Sequence, residues 1–212
     1  MTSGLDLRLI VITDRTLAGE RSVVDIVRAA LAAGAPAIQV RDKDATAREL
    51  AELTRKLLPL AKAADALLFV NDRLDVALAT GADGVHLGPD DIPLSAARRI
   101  APAPFIIGCS TDDPVRAREL ERDGASYIGC GAVFGTVTKD TGGERIGIDR
   151  LNEVARAVSI PVVAIGGVSP DTIDQVVGSE ASGAAVVGAV MAASDPAAVT
   201  LRLLEGWGRG AG

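Results

Sequence analysis

The sequence predicts a single α/β domain over residues 1–212, folded as a (β/α)8 TIM barrel. Eight short apolar runs alternate with helical patterns along the chain. Most of these runs are continuous, as in parallel strands that are buried on both faces. Repeated strand–helix units with short connections favour a parallel sheet, and eight of them favour a closed barrel over an open doubly wound sheet. The predicted strands are Leu9–Thr13, Ala37–Arg41, Leu67–Asn71, Gly84–Leu87, Phe105–Cys109, Tyr127–Cys130, Val162–Gly166 and Ala184–Gly188.

Capping residues mark several helix boundaries. Ser22 is a predicted N-cap, and Thr46 with Glu49 forms a predicted capping box. Three pairs place a capping side chain before a proline at the first helical position, namely Asp113-Pro114, Ser169-Pro170 and Asp195-Pro196. The glycine-rich residues 206–212 are predicted to form a frayed tail.

Composition limits both the core and the partners of the chain. Hydrophobic residues make up 48% of the sequence but aromatic residues only 2%, so the core must be built from Ala, Val, Leu and Ile. A net charge of -6 argues against a generic nucleic-acid or anionic-membrane partner, and no apolar run is long enough to span a bilayer. Cys109 and Cys130 form no CxxC pair, which fits a reducing compartment. We therefore expect a cytoplasmic protein, and a homo-oligomer is compatible with the sequence.

Cationic side chains follow the second predicted strand. In this fold the active site lies at the C-terminal ends of the strands. Gln39, Arg41 and Lys43 are alternate residues, so they share one face and converge on the barrel mouth. Two cations and an amide suit an anionic ligand such as a phosphate. The alternative is a surface salt-bridge cluster with Asp42 and Asp44, and this segment alone does not decide between them.

Carboxylates follow the third and fourth predicted strands. Asp72 follows the third strand, and Asp90 and Asp91 follow the fourth. Carboxylates at the ends of neighbouring strands can share one Mg2+, which keeps waters and takes its remaining oxygens from substrate phosphates. Alternatively, Asp72 caps the next helix, and Asp90 or Asp91 serves as a cap before the following helix. His86 is the only histidine and has no second His or Cys nearby in sequence. We therefore predict a hydrogen-bonded structural role for it and no zinc site.

A long loop follows the sixth predicted strand. It carries the hydroxyls of Thr136 and Thr138 and the charge of Lys139 among several glycines. Loops of this length in a compact domain are often binding loops or lids, and the alternative is an ordinary surface loop.

Two further strand ends complete the predicted mouth. Ser110 is placed to form a hydrogen bond with a ligand ring. Gly167 directly follows the seventh predicted strand and Gly188 ends the eighth, and backbone NH groups commonly bind phosphate at these positions in this fold. Taken together, the strand ends predict an enzyme that acts on phosphorylated small molecules, without identifying its reaction.

The polar segments at the strand ends occur in a specific order. They are Gln39-Val-Arg-Asp-Lys43, Asn71-Asp72, Ala82-Asp-Gly-Val-His-Leu-Gly88 with Asp91, Gly108-Cys-Ser110, Tyr127-Ile-Gly-Cys-Gly131, Thr136-Val-Thr-Lys139 and Val163-Ala-Ile-Gly-Gly167. In this order they resemble the thiamine-phosphate synthase family over nearly the whole barrel, roughly Leu9 to Asp195. Each segment is a weak signal alone, whereas the ordered set is specific.

The resemblance implies a Mg2+-dependent transferase that joins hydroxymethylpyrimidine diphosphate to a thiazole phosphate and releases pyrophosphate. The implied pyrimidine diphosphate site comprises Gln39, Val40, Arg41, Asp42, Lys43, Asn71, Ser110 and Lys139. The implied Mg2+ ligands are Asp72 and Asp91. The implied thiazole phosphate site comprises Thr136, Thr138, Gly167, Val187 and Gly188, and catalytic roles fall to Arg41, Lys43, Lys139 and Ser110.

The implied mechanism is dissociative. Pyrophosphate leaves first, and the thiazole nitrogen attacks the resulting cation, so that no general base is needed. The chain departs from the family pattern at Ala132 and Gly135, where proline is frequent, and at Gly188, where a small polar residue is frequent. Two other readings are a thiazole tautomerase-like isomerase on a related barrel and a non-catalytic sensor of phosphorylated ligands.

Overall fold

The computed structural model describes residues 5–135 and 145–209, with side chains through residue 208. Eight parallel strands close into a barrel in which each strand pairs with its neighbours in the chain, and β8 pairs with β1. The strands are β1 (Leu9–Ile12), β2 (Ala37–Val40), β3 (Leu67–Asn71), β4 (Gly84–Leu87), β5 (Ile106–Ser110), β6 (Tyr127–Cys130), β7 (Val162–Ile165) and β8 (Gly183–Val186). The predicted (β/α)8 TIM barrel is confirmed.

Helices connect the strands around the outside of the barrel. Within the described ranges they are α1 (Arg15–Ala18), α2 (Val23–Ala32), α3 (Ala47–Ala63), α4 (Leu74–Thr80), α5 (Leu94–Ile100), α6 (Pro114–Arg122), α7 (Gly147–Ala157), α8 (Ile173–Val177), α9 (Gly188–Met191) and α10 (Pro196–Arg209). No helix in these ranges is both long and apolar enough to cross a membrane.

The strands are buried on both of their faces. Ile10 and Ile12 of β1 point into the barrel, where Phe69 and Tyr127 pack with ring centroids 5.7 Å apart. Val11 points the other way, into the larger apolar layer between strands and helices. This burial on two sides explains why the strands are continuous apolar runs in the sequence.

Most of the predicted helix starts are correct. Thr46 and Glu49 form the complete capping box of α3, and Ser22 caps α2. Asp113 accepts a hydrogen bond from the Val115 amide and caps α6. In each case the polar side chain satisfies an amide that has no partner within its helix.

The predicted helix start at Ser169-Pro170 is wrong. The segment is a turn in which the Ser169 carbonyl accepts hydrogen bonds from the Thr172 and Ile173 amides, and α8 begins only at Ile173. Ser169 and Asp171 also interact locally, because the Ser169 hydroxyl accepts from the Asp171 amide. Serine, proline and aspartate favour turns as well as helix caps, so the pattern was ambiguous.

The predicted fraying after residue 205 is also wrong for residues 206–209, which continue α10. Gly206 faces α8 so closely that an added Cβ would lie 3.1 Å from Cγ1 of Ile173. The glycine therefore serves close helix packing rather than disorder. Residues 210–212 lie outside the described residues.

Candidate active site

A cavity of about 990 Å3 opens at the C-terminal ends of the strands. It brings together ten residues that the sequence analysis assigned to a site, namely Gln39, Arg41, Lys43, Asn71, Asp72, Asp91, Ser110, Gly167, Val187 and Gly188. They come from opposite sides of the barrel and from distant parts of the chain. The rule that strand ends form the site in this fold therefore assembled these residues correctly.

The side of the mouth after β2, β3 and β4 is called here the charged side, and it consists of Arg41, Lys43, Asp72 and Asp91. Nη1 of Arg41 lies 3.0 Å from Oδ2 of Asp14, and the pair is mostly buried. The Arg41 backbone exchanges two hydrogen bonds with the hydroxyl of Thr13, which follows β1. The Arg41 guanidinium is thus held in place by the end of the neighbouring strand.

Asp72 and Asp91 face each other across the charged side. Their carboxyl groups lie within hydrogen-bonding distance of each other, and Nζ of Lys43 lies 3.7 Å from Oδ2 of Asp72. Burial raises the pKa of Asp72 to about 6, with the hydrogen bond and negative charge of Asp91 acting in the same direction. The positive charges of Lys43 and Arg41 act in the opposite direction.

Backbone contacts fix both carboxylates. Asp72 has a left-handed backbone with φ of 63°, and its amide donates to the His86 carbonyl over 2.8 Å. Oδ2 of Asp91 accepts from the Gly88 amide over 2.7 Å. Neither carboxylate caps a helix, because α4 and α5 begin after Arg73 and Pro93 and neither start has a side-chain cap. The alternative of simple helix caps is wrong.

The donor set of the charged side fits a divalent cation with hard oxygen ligands. Such a cation would reduce the electrostatic repulsion between the two adjacent carboxylates. Across residues 5–135 and 145–209, His, Cys, Asp and Glu side chains form no metal-binding group of three or more. A cation on Asp72 and Asp91 would therefore keep several waters or take oxygens from a ligand, as Mg2+ commonly does.

The side of the mouth after β7 and β8 is called here the glycine side, and it consists of Gly166, Gly167, Val187 and Gly188. Gly166 and Gly167 have φ of 93° and 71°. A Cβ on Gly167 would lie 2.4 Å from the Gly135 carbonyl oxygen. Only glycine fits here, because both the backbone conformation and the available space exclude a side chain.

The short helix α9 begins on the glycine side and is anchored at its far end. Val187 precedes the helix and Gly188 is its first residue, so the predicted end of the last strand is instead the start of a helix. The Arg21 guanidinium, arriving from the segment before α2, donates to the carbonyls of Met191 and Ala193. This contact holds α9 against the outside of the barrel.

Polar side chains cross the floor of the cavity. Nε2 of His86 lies 2.8 Å from Oγ of Ser110, and Nδ1 lies 2.9 Å from the Tyr127 hydroxyl. The predicted hydrogen-bonded role of His86 is confirmed. Gly108 makes room for the phenol, because a Cβ there would lie 2.1 Å from Cζ of Tyr127.

The two cysteines are buried in the apolar layer between the strands and the helices. Burial raises the pKa of the Cys109 thiol to about 11 and that of Cys130 to about 12. Both thiols therefore stay protonated near neutral pH, as expected of small packing residues rather than nucleophiles.

Some predicted site residues are not brought to the cavity. Val40 is 0% exposed and packs between strands and helices. Asp42 pairs with Arg15 over 2.7 Å and lines a separate cavity of about 140 Å3. The salt-bridge alternative thus applies to Asp42, whereas Arg41 and Lys43 face the main cavity. Thr136, Thr138 and Lys139 lie outside the described residues.

The sequence analysis did not assign several polar residues to the site. Tyr127, Asp112 and Arg145 line the cavity, and Asp14 holds Arg41 from beside it. Asp14 follows β1 and could have been found by applying the strand-end rule to the first strand as well. Tyr127 opens β6 and was read as part of an apolar run, because its position alone does not reveal that its hydroxyl reaches His86.

Comparison with known proteins reveals close relatives. A family model described as thiamine monophosphate synthase matches residues 9–190. A thiamine-phosphate synthase from Roseiflexus castenholzii is 51% identical over 195 residues, which cover 92% of this chain and 86% of the relative. A thiamine-phosphate synthase from Pyrococcus abyssi is 50% identical over 189 residues, covering 89% of each chain.

Solved structures agree with the sequence comparison. The thiamine phosphate pyrophosphorylase from Pyrococcus furiosus superposes with a TM-score of 0.89 at 44% identity, covering 98% of both chains. A 3-hexulose-6-phosphate synthase superposes with a TM-score of 0.67 at 22% identity, which shows a shared fold alone.

Proposed function

Because this chain belongs to the thiamine monophosphate synthase family, we propose that it joins hydroxymethylpyrimidine diphosphate to a thiazole phosphate, forming thiamine phosphate and pyrophosphate. It is a transferase of thiamine biosynthesis, and the transferred group in this proposal is the pyrimidinylmethyl group. The observation that carries the proposal is the single cavity with a charged side and a glycine side. Two separate anions, a diphosphate and a monophosphate, need two such regions.

In this proposal Asp72 and Asp91 hold Mg2+. The cation would supply positive charge to the diphosphate oxygens as pyrophosphate departs. The support is the pair of adjacent carboxylates, whose repulsion a cation relieves, beside the ammonium group of Lys43.

Arg41 and Lys43 bind the diphosphate and stabilise the negative charge that grows on it when the carbon–oxygen bond breaks. Preorganised cations contribute most at this point, since Arg41 is already held by Asp14 before any ligand arrives. Lys139, which is outside the described residues, takes the same role in the proposal. The reaction is dissociative, and the thiazole nitrogen, which carries no proton, attacks the pyrimidinyl cation without a general base.

Gln39, Asn71 and Ser110 bind the pyrimidine, and Ser110 acts on the ring from the cavity floor. All three line the cavity, and their polar groups suit a ring with several nitrogens. Val40 and Asp42 enter the proposal only through their backbone, because their side chains point elsewhere.

Gly167, Val187 and Gly188 bind the thiazole phosphate through backbone groups, with the hydroxyls of Thr136 and Thr138 as further donors. The glycine side offers exposed backbone where an anion can approach closely. Holding the thiazole here orients its nitrogen toward the pyrimidine and reduces the entropic cost of reaction.

A cytoplasmic location and small phosphorylated molecules as partners complete the proposal, in which neither nucleic acid nor a membrane takes part. The two free, buried cysteines support a reducing compartment.

The proposal is tested by incubating the purified protein with both substrates and Mg2+ and measuring pyrophosphate release and thiamine phosphate. We expect equal amounts of both products, and no product after chelation of the metal. Conversion of a thiazole phosphate isomer without any diphosphate would instead identify an isomerase. Tight calorimetric binding of the phosphorylated ligands without turnover would identify a sensor.

A further inference from the structure

The guanidinium of Arg21 joins the segment after α1 to the far end of α9. Its two terminal nitrogens donate to the carbonyls of Ala193 and Met191, where α9 ends. Its Nε donates to the Ala18 carbonyl over 3.3 Å, and the Arg21 amide donates to the same carbonyl. The side chain is therefore held by the end of α1 while it binds the end of α9.

The helix α9 depends on such contacts for its position. A helix of one turn gains too few internal hydrogen bonds to be stable by itself. Val190 and Met191 are fully buried, which determines how deeply the helix sits in the apolar layer. Burial of apolar groups has little directional preference, whereas hydrogen bonds have a preferred length and angle. We therefore assign the position of α9 along its own axis to the two bonds from Arg21.

A short path of hydrogen bonds leads from Arg21 to the mouth of the barrel. The carbonyl of Met191 accepts from Arg21, and the amide of Met191 donates to the Val187 carbonyl over 2.9 Å. The Ala192 amide likewise donates to the Gly188 carbonyl over 3.0 Å. Val187 and Gly188 line the cavity. A shift at the end of α9 is thus transmitted, over one helical turn, to the backbone of the glycine side.

Arg21 acts on this backbone from a distance. Its side chain is exposed and does not line the cavity, so it does not contact a ligand there. The same segment also reaches the first residue of α9, because a Cβ on Gly188 would lie 3.7 Å from Cδ1 of Leu17. The polypeptide after β1 therefore supports α9 at both ends, by packing at the mouth and by hydrogen bonds behind it.

We propose that Arg21 is a positioning residue for the thiazole phosphate. It holds α9 so that the backbone groups of Val187 and Gly188 are already in place when the phosphate arrives. The inference rests on the proposed function and adds to it a residue outside the cavity. Because Arg21 acts only through α9, its removal should affect the phosphate end of the thiazole substrate and not the charged side.

The test compares Arg21→Met with Arg28→Met. Methionine retains an unbranched side chain but removes every donor of the guanidinium. Arg28 is the matched control, because it is also an exposed arginine and pairs with Asp25 of its own helix, α2. Steady-state kinetics give kcat and the KM of each substrate. Calorimetry gives the dissociation constants of the thiazole phosphate and of the thiazole alcohol that lacks the phosphate. Thermal unfolding verifies that each variant is folded.

In Arg21→Met we expect KM for the thiazole phosphate to rise about tenfold, while KM for the pyrimidine diphosphate stays within about twofold of the wild type. The dissociation constant of the thiazole phosphate should rise by a similar factor, and that of the alcohol should not change. Arg28→Met should resemble the wild type in all of these constants. A residue that only stabilised the fold would instead lower the active fraction, and hence kcat, at unchanged KM.

Equal KM values for the thiazole phosphate in folded Arg21→Met and Arg28→Met would overturn the inference and leave the proposed function intact. Equal weakening of phosphate and alcohol binding would overturn it as well. If Arg21→Met does not fold, Arg21→Gln compared with Arg28→Gln decides in the same way. If the wild type forms no thiamine phosphate, the proposed function fails. The dissociation constants of the thiazole phosphate in the two variants then decide whether Arg21 positions its site.

Discussion

On the charged side of the mouth, the chemistry resides in side chains that carry charge, whereas on the glycine side it resides in backbone that side chains leave uncovered. Lys43 pairs with Asp72 within the charged side, and Arg41 pairs with Asp14 beside it. Gly166 and Gly167 instead have positive φ and no room for a Cβ. The two sides serve one cavity by different physical means.

The difference predicts different vulnerabilities. Changes of charge or pH should disturb the charged side and leave the glycine side intact, while an added methyl group should do the reverse. Each of the following predictions tests this separation.

The largest effect is expected for Asp72→Asn, which removes one carboxylate charge and keeps the shape. We expect kcat/KM for the pyrimidine diphosphate to fall by about a hundredfold or more, with the required Mg2+ concentration raised. Asp65→Asn is the matched control, because Asp65 also has a left-handed backbone but precedes β3 at the opposite end of the barrel. Steady-state kinetics at several Mg2+ concentrations provide the measurement, and near-normal activity in Asp72→Asn would remove it from the metal site.

Gly167→Ala should raise KM for the thiazole phosphate on the order of tenfold by displacing the backbone of the glycine side. Its φ of 71° is nearly the same as the 72° of Gly81, where an added Cβ meets nothing within 4 Å. Gly81→Ala is therefore the control, because it introduces the same backbone strain of about 1 kcal/mol but no collision between the new methyl group and a neighbouring atom. Equal KM values for the two variants would show that crowding against Gly135 has no role in binding.

A pH-dependent loss of stability is expected from the charged side of the metal-free protein. Because the pKa of Asp72 is raised to about 6, the folded protein retains a proton that the unfolded chain releases near pH 4. The unfolding free energy should therefore fall by about 1 kcal/mol as pH rises from 4 to 6, and this loss should persist at higher pH. Urea unfolding with a chelator present measures it, and Asp72→Asn should lack this component. An equal fall in that variant would exclude Asp72 as the source.

The smallest effect is expected for Asp14→Asn. Asparagine retains the cap on the Leu17 amide but removes the charge that holds Arg41. We expect KM for the pyrimidine diphosphate to rise by about threefold, as for a weak ion pair, with KM for the thiazole phosphate unchanged. Asp6→Asn, which breaks an exposed pair with Arg8, is the control and should leave both constants unchanged. A rise in both KM values for Asp14→Asn would mean that the two sides are coupled.

Sequence patterns predicted those features that depend on local order. The strands were found because apolar residues repeat in blocks, and Asp72 and Asp91 were placed together because each follows a neighbouring strand. The cap at Thr46 was found because its partner Glu49 lies three residues away. The cap depends on residues that are close in sequence. The positions of the carboxylates follow from the general rule that the strand ends of this fold meet at one end of the barrel.

Features that depend on which residues meet in space were not predictable in the same way. Arg41 is held by Asp14, and His86 by Tyr127, across large separations in sequence. Val40 alternates with the cavity residues Gln39 and Arg41, so its side chain faces the helices, although the resemblance assigned the whole segment to the substrate. A motif identifies a segment, whereas strand alternation decides which of its side chains reach the ligand.

Closure of the barrel has a consequence for synthesis of the chain. Leu9 of β1 pairs with Ala184 of β8, so β1 lacks one of its two neighbours until β8 has left the ribosome. At usual translation speeds this delay is on the order of ten seconds or more. During that time the nascent chain exposes an unpaired strand edge of the kind that invites aggregation. We therefore expect a chaperone to bind the exposed edge of β1 during synthesis, before the active site has formed.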